Sequence, residues 1–573
     1  VETLETDILV VGGGTGGTVA AIQAARRGVQ TVLVSEFAWL GGMLTSAGVS
    51  APDGNELAAF QTGMWGEFLR SLQRRQSGGL DNGWVSFFTF DPRLGARIFA
   101  EWARSLPNLT WIAGQVPREV LRQGDRITGV RFETLTVRAQ ITLDGTELGD
   151  LLPLADVPYR WGWEWQSEWH EPSAPTEPTP LTERYPVQVP TWVVLLRDFG
   201  EGERAREIQP PPNYNPDRYF GAWDGYAIAQ FLNYGRLPGE TFMLNWPQRG
   251  NDYGERLNRL VESETARSQF CQEARWHAQG FAYFIQSQLG RRYGLAEGVF
   301  PANSAFAEHP YYRESRRIRG VQTLCEGDLL PIAGGRVAKL PPGAIAIGNY
   351  ANDHHYPDGS WSLHSKSLRW GGRVTGTPFA IPYGCLVPAT IDGLLACEKN
   401  ISVSHIANGA TRLQPAVMNI GQAAGMAAAL CVERGVQPRE LPVRVVQAAL
   451  WQDPIAPAAT VPLFDLDPHR PDWLHWQRYY RDRPDCYPAS GEVGGTAAIS
   501  ANRQPAEPFD GIFTRCGEQS YTLMVEGDRL WTLVTLRSTC DRAFKSYPTH
   551  TRMSGWGRWN RAGNWLLVEA IDL

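Results

Sequence analysis

The sequence predicts an α/β fold, built on a parallel sheet that an inserted segment interrupts and a small β-rich extension follows. Three observations predict it. The apolar run Asp7-Ile8-Leu9-Val10-Val11 breaks into Gly12-Gly13-Gly14-Thr15-Gly16-Gly17 and then takes helical spacing at Val19, Ala20, Ile22 and Ala24. A second apolar run, residues 31–34, follows Gly28 and leads to Glu36. Far downstream, residues 393–429 read strand, loop, helix, so both halves of the chain are expected to build one sheet.

The first element carries chemistry as well as structure. Gly12, Gly14 and Gly17 hold the G-x-G-x-x-G spacing of a Rossmann-like turn. The first glycine permits the tight turn, the second lets a pyrophosphate reach the backbone, and the third brings helix onto strand. Thr15 and Gly16 complete a helix N-terminus whose free N–H groups and dipole favour an anion. Glu36, about twenty residues beyond the glycines, is placed to accept hydrogen bonds from an adenosine ribose and to disfavour a 2′-phosphate. These residues predict NAD or FAD.

Gly41-Gly42-Met43-Leu44-Thr45 adds a second glycine turn a few residues later. With the first turn, it resembles the FAD-dependent oxidoreductases related to the flavoprotein subunits of fumarate reductase and succinate dehydrogenase. The resemblance runs over residues 5–450 and implies a glutathione-reductase-type FAD-binding domain with Gly41, Gly42 and Met43 along the pyrophosphate and ribityl chain. It also implies that Val116, just after a strand, meets the adenine through its backbone. The segment from Leu143 to Asp150 looks like that family's Asp-Ala-Thr-Gly-Asp element and would bring Thr146 and Asp150 under the cofactor, although Gly145 replaces the alanine and Glu147-Leu148 are additional. No histidine segment for covalent flavin attachment follows Glu36, so FAD is expected to be non-covalent.

Composition excludes several alternatives. With 573 residues, 43% hydrophobic and 20% charged, the chain is long enough for two or three domains. A formal charge of −6 gives no basic field for nucleic acid. The eight cysteines show no metal-ligand spacing, so no metal is expected; Cys516 and Cys540 are a candidate pair. No apolar run is expected to span a membrane, and no signal pattern precedes Val1. A cytoplasmic location is therefore favoured, with export open if the N-terminus was processed.

Between the two halves, the pattern predicts helices over 55–76 and 92–106, then strands over 109–112, 120–121, 127–132 and 135–143. Trp161, Trp163 and Trp165 alternate, which predicts three indoles on one face of a strand, assigned to core packing. A proline-rich connector over 172–190, a strand over 192–196 and a helix over 262–289 make residues 161–309 an expected α+β cap, inserted into an FAD-binding domain of residues 1–160 and 310–450. Residues 451–573 form the expected β-rich extension, with a turn at Gly527-Asp528.

The later half supplies the candidate catalytic groups. In 312–320, Glu314 lies among four arginines, a site element or a surface ion-pair ladder. Asp353-x-His355 resembles a family segment near the flavin, with Asp353 as orienter and His355 as acid or base. The resemblance further implies that Glu398 binds the ribityl hydroxyls and that a helix entered near Asn419-Ile420-Gly421 directs its positive end at the flavin pyrimidine. Arg412 matches an arginine that holds a substrate carboxylate in that family, but His405 precedes it by seven residues instead of four, which removes the argument for a dicarboxylate. The expected reaction is hydride transfer between a small polar or anionic organic substrate and flavin N5, with Arg412 orienting the substrate and His355 or His405 handling the proton. Electrons would pass on to O2 or an acceptor protein. The alternatives are an amine oxidase, a double-bond reductase, or a flavin-binding electron carrier or interaction protein with no substrate of its own.

Overall fold

The computed structural model describes residues 2–364, 367–494, 506–526 and 529–572. Its central sheet has seven strands. β1 (Glu2–Val11) lies parallel to β2 (Thr31–Ser35), which lies parallel to β3 (Leu109–Ala113). On its other side β1 runs parallel to β6 (Leu135–Asp144). The outer edge of β6 is shared. Its first half pairs antiparallel with β5 (Arg126–Phe132), which pairs with β4 (Pro117–Gln123), while Thr142–Leu143–Asp144 pair parallel with the distant strand Leu394–Ala396. Ile8 to Val11 are fully buried, the condition under which parallel strands read as continuously apolar.

α1 (Thr15–Arg26) and the helix Gln414–Arg434 form the main helical contact on this sheet. Glycines allow it. A methyl group on Gly421 would sit 2.3 Å from the Gly16 carbonyl oxygen, and one on Gly425 2.2 Å from that of Ala20. Gln414–Arg434 is long and apolar enough to cross a membrane, contrary to the sequence expectation, but 94% of its apolar window is buried by protein. It is the core helix of the sheet layer.

The inserted segment builds a four-stranded antiparallel sheet in the order Tyr293–Leu295, Val194–Asp198, Thr241–Leu244, Arg236–Leu237, against the 26-residue helix Glu264–Leu289. Ser263 caps that helix by accepting from the Ala266 N–H. Its apolar cluster includes Met43, Ala47, Val49 and Leu148, so it packs directly on the chain that follows the second glycine turn. The C-terminal segment closes a five-stranded barrel from Glu507–Gly517 to Trp565–Ile571, whereas Trp451, Phe464, Trp473 and Tyr480 join the main core.

Several local expectations change. The helix of 55–76 starts only at Gly63, whose φ of +60° precedes α2 (Gly63–Arg75) with left-handed backbone. The 92–106 pattern becomes α3 (Pro92–Arg104), capped by Asp91. Trp161, Trp163 and Trp165 do not share a strand face, because Gly162 at φ +92° breaks the extended run after Arg160. Trp163 turns inward and Trp165 stays exposed. Cys540 lies in the barrel core and Cys516 on its surface, so the candidate pair is two free thiols. The Gly527-Asp528 turn lies outside the described residues.

Gly425→Ala should therefore lower stability by about 1–3 kcal/mol through overpacking against α1. Gly327→Ala, whose methyl meets nothing within 4 Å, should stay within about 0.5 kcal/mol. Thermal unfolding of both variants checks this, and equal midpoints would contradict the helix contact.

Candidate functional site

At the C-terminal ends of β1, β2 and β6 the chain encloses a cavity of about 500 Å³. Gly12, Gly14, Glu36, Gly42, Val116, Thr146 and Asp150 stand in its wall. The turn needs its glycines. Gly12 adopts φ +105°, and a side chain there would lie 2.3 Å from the Gly145 carbonyl. Thr15 donates to the Gly41 carbonyl at 2.8 Å and Thr18 accepts from the Gly41 N–H at 3.0 Å, so the two glycine turns are bonded together. A methyl on Gly42 would meet the Gly14 Cα at 2.7 Å.

The other predicted residues divide by position. Gly16 and Gly17 pack backbone on backbone behind the wall, against the Cys397 and Gly12 carbonyls. Met43 is buried in the apolar cluster of the inserted segment. Glu36 opens onto the cavity, yet burial, followed by the charge of Asp150, raises its carboxyl to about 7. Thr146 bridges Asp144 and the Asp150 N–H at 2.6 and 2.7 Å. Asp150 itself takes Arg267 at 2.7 Å and Arg316 at 2.9 Å; these arginines outweigh burial and hold its carboxyl below the usual range. It holds two cations beside the cavity that it helps to line.

The late half arrives through Leu394–Ala396. Glu398 Oε2 accepts from the Gly16 N–H at 2.6 Å, placing a carboxylate on the N-terminus of α1. Lys399 Nζ lies 2.6 Å from Glu147 and 3.0 Å from Glu398, and all three side chains are largely or fully buried. Burial, opposed by Lys399, lifts Glu398 to about 7. Glu147 Oε1 is left without a hydrogen-bond partner. Glu147 and Lys399 were missed by sequence reasoning; a lysine next to an acid in a chain with only four lysines was the available signal. Asn419, Ile420 and Gly421 are not at a helix entry. The helix begins at Gln414, and these residues face the Ile347 carbonyl, the core and Gly16 respectively.

A second polar group gathers around Asp353. One carboxylate oxygen receives His355 Nε2 at 2.9 Å and Arg412 at 3.1 Å, while His355 Nδ1 meets Asp252 at 2.9 Å. Arg412 also donates to the Tyr311 hydroxyl at 2.7 Å, and Arg313 lies 3.3 Å from Asp252. Burial and Arg313 oppose a charge on His355, but Asp353 and Asp252 outweigh them and raise it above its ordinary value. Asp252 falls to about 2 despite burial, through Arg313 and His355. His355 and Arg412 are thus brought together, while His405 belongs to a neighbouring network. Glu314 is not on a surface ladder: its buried carboxylate takes His405 Nδ1 at 2.9 Å and lies 3.2 Å from Arg317.

The His355 ion pairs carry a definite pH signature. A raised histidine stabilises the fold fully below its unfolded value near 6.5 and loses that contribution as pH rises through the folded one. His355→Gln should therefore lower the thermal midpoint most at pH 5.5, and by progressively less toward pH 9. A deficit that grows with pH would contradict the assignment.

The glycine cradle, the Glu36 carboxylate and the Glu147 carboxylate line one cavity, and that lining fits a dinucleotide. No curated protein matches the chain. Solved structures overlap it in part. p-Nitrophenol 4-monooxygenase from Pseudomonas putida shares 12% identity over 35% of this chain and 49% of its own, with a TM-score of 0.22. L-Proline dehydrogenase from P. horikoshii shares 12% over 35% and 63%, with a TM-score of 0.24. Thioredoxin reductase from T. acidophilum shares 19% over 29% and 40%, with a TM-score of 0.17. The chain spans less than two thirds of the length of each. The model of the FAD dependent oxidoreductase family matches residues 7–450, and the chain belongs to that family.

Proposed function

We propose that the chain transfers a hydride between a small polar or anionic organic substrate and FAD, with the substrate held beside Arg412 under the inserted segment, which acts as a cap. Bound FAD supplies the hydride-accepting or hydride-donating ring, and the protein supplies position and field. The observation that supports this reading is free hydrogen-bonding capacity in one place. Among the described residues, Arg412 Nε, both polar side-chain atoms of Asn352 and Asn408 Oδ1 are buried without partners, and Arg412 is held with His355 by the Asp353 carboxylate.

Each of these residues has work that its chemistry fits. The Arg412 guanidinium stays charged and offers its remaining donor to an anionic or carbonyl oxygen. Asp353 fixes its plane and orients the His355 ring. His355, held between two carboxylates that favour its charged form, is suited to give a proton or to balance a substrate anion. Tyr311 holds Arg412 from the other side.

Arg412→Met should leave FAD bound while cutting kcat/KM by about 10²–10⁴-fold. The check is anaerobic bleaching of the flavin by a panel of small hydroxy, amino and unsaturated acids, followed by stopped-flow on the one that works. Bleaching by a protein donor alone, with none by small molecules, would overturn the reading in favour of an electron carrier.

A further inference from the structure

Beside the Asp353 group runs a line of four contacts that ends in an acceptor on both sides. Glu314 Oε1 meets His405 Nδ1 at 2.9 Å, His405 Nε2 meets the Tyr356 hydroxyl at 2.7 Å, that hydroxyl meets His354 Nδ1 at 2.8 Å, and His354 Nε2 meets the Ile406 carbonyl at 3.1 Å. Each contact needs one hydrogen. Two neutral imidazoles and one phenol supply three for the four contacts. A carbonyl supplies none. Glu314 faces donors elsewhere as well, the Gln188 N–H at 3.1 Å and Arg317 at 3.2 Å, which favours its carboxylate form. The line is therefore complete only when it carries one proton beyond its neutral side chains.

We propose that Glu314, His405, Tyr356 and His354 form a one-proton relay that is filled in the resting protein, with its charge on His405, and that gives a proton to substrate from His354 Nε2. The proposal rests on the hydride-transfer reading above for the destination of the proton. In the filled relay, hydrogens point from His405 to Glu314, from His405 to Tyr356, from Tyr356 to His354 Nδ1 and from His354 Nε2 to the Ile406 carbonyl. When substrate is reduced, with bound FAD as the group that would supply the hydride, the His354 Nε2–H bond breaks as a substrate O–H or N–H bond forms. The phenolic hydrogen then moves to His354 Nδ1 as the His405 Nε2 hydrogen moves to Tyr356, which leaves the line neutral. Oxidation of substrate runs the same shifts backwards from the emptied relay.

The surroundings favour the filled state. His354 is part-buried and the rest of the line is buried, so the proton has one way in or out. The Trp163 ring lies 4.0 Å from the His405 ring, a contact that stabilises an imidazolium. Glu164 accepts from the His405 backbone N–H at 2.7 Å and pairs with Arg317, while Asp353 and Arg412 face the His354 side. Burial, then the charge of His405, pushes His354 well below its ordinary value, and burial raises the Tyr356 phenol well above its own. Both are accordingly neutral in the filled relay.

The test is histidine-selective ¹⁵N NMR of the FAD-loaded full chain, which has ten histidines to assign, combined with the pH profile of flavin reduction. In the wild type at pH 7, His405 should carry hydrogen on both ring nitrogens. Tyr356→Phe leaves two separate contacts that two neutral imidazoles satisfy, so His405 should carry a single ring hydrogen at pH 7. The pH profile of flavin reduction should move with it. A neutral His405 in the wild type, or an imidazolium untouched by Tyr356→Phe, would overturn the relay. His354→Gln, which removes the outer end of the relay, provides a second variant should Tyr356→Phe fold poorly: it should move the pH profile of flavin reduction, and a profile unchanged from wild type would overturn the proposal. The NMR result needs no substrate, so it stands or falls apart from the hydride-transfer reading.

Discussion

The contact between Glu398 and the Gly16 N–H, 382 residues apart in sequence, is the constraint from which the rest of the molecule follows. A helix N-terminus in a parallel sheet collects unpaired N–H groups and favours a negative partner. Here the chain meets part of that demand itself. It does so because β6 offers its last three residues to Leu394–Ala396, which delivers residues 397–399 to the end of the sheet where β1 and β6 both stop. Two carboxylates would repel at that point. Lys399 lies between Glu398 and Glu147, so the buried group carries one cation and two acids beside the turn that cradles the dinucleotide.

Glycine makes this closeness possible at both levels. Gly16 and Gly421 let α1 and the late helix approach backbone to backbone, and Gly12 and Gly145 let strand ends cross without side chains between them. The inserted segment then packs its apolar cluster on Met43, Ala47 and Val49, the residues that leave the second glycine turn. The same segment contributes Asp252 to the His355 group. A single packing arrangement thus sets the dinucleotide cavity and the polar group around Arg412 together.

Much of this was legible in the sequence because it depends on local chemistry. The first glycine turn, Glu36, the apolar strands and the Glu398 to Arg412 segment are each encoded within a few residues. What was not legible depends on distant partners. Glu314 read equally as a site element or as part of a surface ion-pair ladder, since nothing nearby in sequence announces that His405 and Arg317 bury it. Glu147 looked like an added residue until Lys399 met it. The late helix was placed five residues too far along, because its start at Gln414 follows Arg412 with no polar cap and is marked only by Pro415. Trp163 had the alternation of a strand residue, but Gly162 overrides that pattern and turns the indole onto His405.

The central claim is that the early glycine turn and the late Glu398 segment form one FAD site. Its most direct measurement is the FAD affinity of Glu398→Leu against wild type, followed by flavin fluorescence with circular dichroism as the check on folding. The account predicts one releasable FAD per wild-type chain and an affinity at least about tenfold weaker in the folded variant. A wild-type chain that stays colourless with FAD added, or a folded variant that binds FAD as tightly as wild type, would contradict it.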